Sequence, residues 1–142
     1  MKKYTLNTLL FFLTINLLSS QNLDSLYVSR LNDTIISKYL NEKRAIEIQL
    51  PRSYEIEVDK NYPLMIVLDG DYMFNIVSGS VDYLSYWGDI PENLVVGINQ
   101  KDTRFQDSSV FDNITHTPIS STASFYDFIV NELIPYLSLI HI

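Results

Sequence analysis

The chain has 142 residues, 10 Lys and Arg against 17 Asp and Glu, a formal net charge of −7, and 46% hydrophobic residues. That is enough apolar material for one packed domain and too much for a disordered chain, and the acidic balance argues against a nucleic-acid-binding surface. There is no cysteine, which excludes disulfides and thiolate metal sites, and His116 and His141 stand in no metal-ligand spacing, so no metal or other cofactor is expected.

Lys2 and Lys3 precede the apolar run LLFFLTINLL, Leu9 to Leu18, which is short for a bilayer span. Ser19-Ser20-Gln21 then forms a small, polar region suited to cleavage. Residues 1–21 read as a signal peptide, which predicts export to the periplasm or beyond and no membrane span once the leader is removed. A membrane anchor or a buried helix is the alternative. Losing the two lysines takes the charge from −7 to −9.

Next, TIISKYL (Thr34 to Leu40) and RAIEIQL (Arg44 to Leu50) read as strands joined by the polar NEK, a hairpin. In the second strand Ile46, Ile48 and Leu50 share one face, with Glu47 and Gln49 on the other. Pro51 to Tyr62 is a polar connection. PLMIVLDGDYMF (Pro63 to Phe74) follows: a continuous apolar strand, Leu64 to Leu68, of the buried parallel kind, ending abruptly in Asp69-Gly70-Asp71. Strand ends of this kind hold ligands in α/β proteins.

Phe74, Val77, Val81 and Leu84 recur at helical spacing, predicting a helix over 75–86, stopped by Gly88 and Pro91. NLVVGI (Asn93 to Ile98) is a further buried strand, and a polar loop covers 99–122. SFYDFIVNELIPYL then makes an amphipathic helix with Phe125, Phe128, Ile129 and Leu133 on one face. The order is that of an α/β protein, an antiparallel hairpin leading into a parallel sheet with flanking helices. The nine-residue spacing of Gly70, Gly79, Gly88 and Gly97 carries no shared pattern and is not a repeat.

IEIQLPRSYE, YPLMIVLDGDYMF, PENLVVGINQKDTRFQD and FYDFIVNELIPYL, in this order, resemble an esterase family of the α/β hydrolases, similar to esterase D, the ferric-enterobactin esterases and the mycolyltransferase antigens. The resemblance spans roughly Ile46 to Leu137 and implies the N-terminal part of an α/β-hydrolase domain, residues 22–136, acting on a small-molecule ester. In that family the nucleophile follows the FI..ELIPY helix on a G-x-S-x-G-like elbow, with the acid and His later still. No G-x-S-x-G occurs here, since VSGSVDY lacks the second glycine. The resemblance therefore assigns no catalytic triad residue to this chain, and the chain by itself is expected to be inactive.

What the resemblance does assign is half of an oxyanion hole: the backbone N–H of Asp71, after a tight turn permitted by Gly70. Gly70, Tyr72 and Arg104 are the substrate-cleft candidates. The structural alternatives are that Asp69 and Asp71 cap the following helix, that Arg104 pairs with Asp102 or Asp107, and that Tyr72 and Trp87 are core aromatics. Two other functions stay open. VLDGD also fits the first motif of haloacid-dehalogenase-type Mg²⁺ phosphatases, with Asp69 as nucleophile and Asp71 as acid/base, although Met73 stands where that motif has Thr or Val. A non-catalytic exported binding domain is the other. The residues set no oligomeric state. The tail LSLIHI, 137–142, back-translates to CTG TCT CTT ATA CAC ATC, a transposase mosaic-end adapter, and is read as adapter translation; other codons in the nucleotide record would remove that reading.

Overall fold

The structure, a computed structural model, describes residues 28–57, 59–117 and 120–140. The expected leader, His141 and the last part of the tail lie outside them. Strands β1 (Arg30–Ser37) and β2 (Glu42–Gln49) form the hairpin, antiparallel from Arg30↔Gln49 to Ser37↔Glu42. The first strand begins and ends earlier than Thr34 to Leu40. Asn41 takes up the left-handed conformation, φ 53°, which asparagine tolerates, and the Leu40 N–H donates to Ser37 Oγ at 2.9 Å. Those local bonds turn residues 38–41 away from the ladder.

Strand β3 (Leu64–Val67), helix α1 (Gly70–Tyr86) and strand β4 (Leu94–Ile98) follow, with β3 and β4 parallel. β4 also pairs antiparallel with β2, so the four-stranded sheet runs β1-β2-β4-β3. The helix begins five residues before the expected start, directly after Asp69, and ends before Gly88, whose φ of 81° breaks it. The expected loop over 99–122 contains a short helix, α2 (Arg104–Ser108).

The last segment is one continuous helical run: α3 (Ser121–Phe128), a π turn over Ile129–Leu133, and α4 (Ile134–Ile140). Pro135 has no N–H to give the carbonyl of Asn131, and the ladder widens just before it, with the Ile134 N–H donating to the carbonyl of Ile129. The wider turn sets the buried face at Phe125, Phe128, Leu133 and Leu137.

Two apolar layers sandwich the sheet. On one face Ile46, Ile48, Leu50, Leu94, Val96 and Ile98 pack against Phe125, Phe128, Leu133 and Leu137. On the other, Val67 and Val95 pack against Phe74 and Val81 of α1. The polar face expected for β2 is covered at one end only, since Lys43 and Ala45 are exposed and Glu47 half-buried. Gln49 is buried under α1, where its Nε2 donates to the carbonyl of Ser78 at 2.9 Å and its Oε1 accepts from Arg30. β3 forms one edge of the described sheet, and Leu64, Met65 and Ile66 are only half-buried.

Candidate functional site: the β3–α1 corner

Parallel packing of β3 on β4 brings the carboxyl ends of both strands together, and three segments meet there: Asp69–Tyr72, Asn99–Gln100 and α2. The corner itself is Asp69, at φ 54° and ψ 43°. This corrects the expectation for the turn, because the left-handed residue is Asp69 and Gly70 is already helical. Gly70 is required for space: a Cβ there would stand 2.7 Å from Asn99 Oδ1 and 3.0 Å from the carbonyl carbons of Gly97 and Ile98. The start of α1 lies directly on the end of β4.

Helix capping by the two aspartates is also corrected. No side chain caps α1. Asp69 instead contributes its carbonyl, which accepts from the N–H groups of Tyr72 (3.2 Å) and Met73 (2.9 Å), while its carboxylate pairs with Arg104 Nε at 3.0 Å. The Asp71 carboxylate accepts the backbone N–H of Gln100 at 2.8 Å. The two carboxylates thus serve different partners. Among the described residues no three His, Asp or Glu side chains converge as metal ligands.

With those bonds made, the N–H groups of Gly70 and Asp71 have no acceptor among the described residues. They stand at the positive end of a 17-residue helix, and Asp71 is exposed. Such a pair of free, fixed donors binds a developing negative charge.

Around this corner Tyr72 is 64% exposed and Arg104 half-exposed. Arg104 does not pair with Asp102 or Asp107: its partners are Asp69 and, at 2.6 Å, the Ser108 hydroxyl. Tyr72 and Trp87 are not core residues either. Trp87 lies at the opposite end of α1, about 25 Å along the axis, exposed and edge-on to Tyr86, so it lines no cleft with Tyr72. His116, at φ 53°, sits in the turn ordered by Asp112, whose carboxylate accepts the N–H groups of Thr115 and Ile114 and is held below the usual range by them.

Beneath the corner lies a buried polar cluster that the linear sequence does not announce. Asp107, from α2, receives the Arg44 guanidinium at 2.5 and 3.1 Å, Gln100 Nε2 at 2.9 Å and Thr103 Oγ1 at 2.8 Å. Arg44, Asp107 and Gln100 are each less than 5% exposed. Burial opposes the Arg44 charge, but the hydrogen bonds with Asp107 and Glu42 outweigh it and hold its pKa above the ordinary value. The guanidinium also lies over the Phe125 ring at 5.5 Å, tying the cluster to the C-terminal helix.

The Esterase family model, described as "Putative esterase", matches residues 37–139. No curated protein matches the chain. Among solved structures, an uncharacterised protein from Capnocytophaga ochracea is 28% identical with a TM-score of 0.63, covering 80% of this chain and 30% of its own. An IroE-like serine hydrolase from Shewanella oneidensis is 24% identical with a TM-score of 0.66, over 80% of this chain and 39% of its own. The enterobactin esterase of Shigella flexneri, solved in the presence of enterobactin, is 20% identical with a TM-score of 0.61, over 80% and 26%. This chain thus spans less than half the length of each of them, and the latter two likenesses carry the fold alone. With strand order, hairpin and β3–α1 corner in place and the family model spanning most of the residues, the chain belongs to this esterase family of the α/β hydrolases.

Proposed function

We propose that this chain is the N-terminal portion of an exported serine esterase and supplies one donor of its oxyanion hole, the main-chain N–H of Asp71. The observation that carries the reading is the free Asp71 amide, fixed at a helix N-terminus on the carboxyl edge of the sheet. Gly70, Tyr72 and Arg104 would border the cleft in which a small ester lies, and the nucleophile, its base and the second donor would come from parts of the intact protein outside this chain. When the nucleophile adds to the ester carbonyl, the oxygen takes on charge, and a donor already aimed at it stabilises that state without reorganising. The 142 residues alone contain no elbow serine, so they hydrolyse no ester by this route.

The test uses two lengths of the gene, encoding this chain and the longer open reading frame, assayed on p-nitrophenyl acetate and p-nitrophenyl phosphate. Only the longer product is expected to cleave the acetate. Asp71→Pro removes the N–H at a first-turn position where proline is tolerated and should lower kcat roughly a hundred- to a thousandfold. Asp71→Asn keeps the N–H and should fall far less. Phosphate hydrolysis lost on Asp71→Asn would instead establish the phosphatase reading.

A further inference from the structure

We infer that Gln100 is the positioning residue of the oxyanion corner: it clamps the chain on both sides of Gly70 and thereby aims the Asp71 N–H. The inference rests on the proposed oxyanion role of that amide. Gln100 Oε1 accepts the N–H of Asp69 at 3.0 Å, and the Gln100 main-chain N–H donates to Asp71 Oδ2 at 2.8 Å. One residue therefore holds the positions immediately before and after Gly70, while Gly70 itself is pressed on the end of β4. Between these two bonds the N–H groups of Gly70 and Asp71 have no acceptor among the described residues.

The clamp is fixed in one orientation. Gln100 is 1% exposed, and its Nε2 faces the Asp107 carboxylate at 2.9 Å. A carboxylate accepts only, so the amide nitrogen must point there and the amide oxygen must point at Asp69. Asp107 is itself fixed by Arg44 from β2 and by Thr103. The chain of contacts runs from the hairpin through Arg44, Asp107 and Gln100 to Asp69 and Asp71. A left-handed non-glycine residue costs about 1–2 kcal/mol and persists only when its surroundings over-determine it. Here Gln100 supplies that constraint, its side chain bonded to Asp69 and Asp107 and its main chain to Asp71.

The test is a double-mutant cycle in the longer gene product, with kcat and KM measured on p-nitrophenyl acetate at a temperature where circular dichroism shows each variant folded. Gln100→Met keeps the volume and removes both side-chain bonds. It should lower kcat about ten- to a hundredfold, the effect of misplacing a catalytic group by up to an ångström, with KM within about twofold. In the Asp71→Pro background, where the donor is already gone, Gln100→Met should add less than about twofold. A full independent loss of kcat there would mean that Gln100 acts elsewhere and would overturn the inference, as would an unchanged kcat in the single variant. An unchanged kcat in Asp71→Pro would instead overturn the oxyanion reading itself, which separates the two failures. Hydrogen exchange on the unaltered protein gives a second measurement that needs no variant to fold. The Asp69 amide should be protected and the Asp71 amide should exchange rapidly; equal, rapid exchange at both would show that the clamp does not exist.

Discussion

Replacing Gly70 by alanine sets two effects of known size against each other. Alanine in a helix interior is favoured over glycine by about 0.8–1 kcal/mol, and less at the first helical position. Against this, the new Cβ would stand 3.0 Å from two carbonyl carbons of β4 and 2.7 Å from Asn99 Oδ1. The Asn99 side chain can turn aside. The β4 backbone cannot, because the strand is buried along its length and held by β2 on one side and β3 on the other. Relief must come from lifting the start of α1 by a few tenths of an ångström, at the overpacking cost of about 1–3 kcal/mol. The net expectation is a loss of about 1–2 kcal/mol, together with a lower kcat in the longer product, since the Asp71 amide moves with the helix.

Gly79 on the same helix provides the control. It is exposed, and a Cβ there meets nothing within 4 Å. Gly79→Ala should therefore stabilise by about 0.5–1 kcal/mol. Urea unfolding of the longer product measures both, read as a shift in midpoint at constant m. If both alanines moved the midpoint upward, the close approach of α1 to β4 would not be the reason for glycine at position 70.

Asp107→Ala removes one of the two carboxylates that pair with the buried Arg44. It should destabilise in the same experiment by less than the roughly 3–5 kcal/mol of a wholly unpaired buried charge, because Glu42 remains. Burial pushes the Glu92 carboxyl up, but hydrogen bonds from Ser53 and Lys60 prevail and hold it below the usual carboxylate range. A depressed folded value means stability present above the unfolded value, about 4.3, and lost as pH falls through the folded one, so Glu92→Gln should flatten the acid limb of a stability–pH curve. The 142-residue chain on its own should self-associate through β3, an edge with no charged side chain from Leu64 to Val67; a concentration-independent monomer in sedimentation velocity would refute this. Expressed with its own leader in a Gram-negative host, the protein should lose about twenty N-terminal residues, and an intact Met1 by mass spectrometry would point to an anchor.

Strand, helix and strand from Leu64 to Ile98 are legible in the sequence because each is specified locally, by continuous apolar runs and by the spacing Phe74, Val77, Val81. What is not legible depends on partners far along the chain. Gln49 stands on the polar side of the Ile46–Ile48–Leu50 alternation, and Arg44 is a charge on its apolar side, yet both are buried. Asp107 reaches Arg44 from 63 residues away, and Ser78 reaches Gln49 from 29 residues away. Alternation records which face is apolar, not whether the other face is covered. The π turn is hidden for a different reason. Phe125, Phe128, Ile129 and Leu133 fit an α-helical face, and only Pro135 hints that the ladder must open ahead of it.

At the site, LDGD tells that a strand ends and a turn begins, but it does not tell which residue does which part. Two demands fall on adjacent positions: one residue must turn left-handed, and the next must let a helix start lie on a strand end. The second is a contact with backbone that cannot retreat, so it admits only glycine. The first is an energy of about 1–2 kcal/mol, lower for Asp and Asn than for most residues, and hydrogen bonds can offset it. Gly70 therefore occupies the crowded position and Asp69 takes the strained one, held by the Arg104 ion pair on its carboxylate and by Gln100 on its N–H. The carboxylates of this corner bond to Arg104 and to the Gln100 amide, and under the proposed function the chemistry would fall to a main-chain amide that no side-chain motif records.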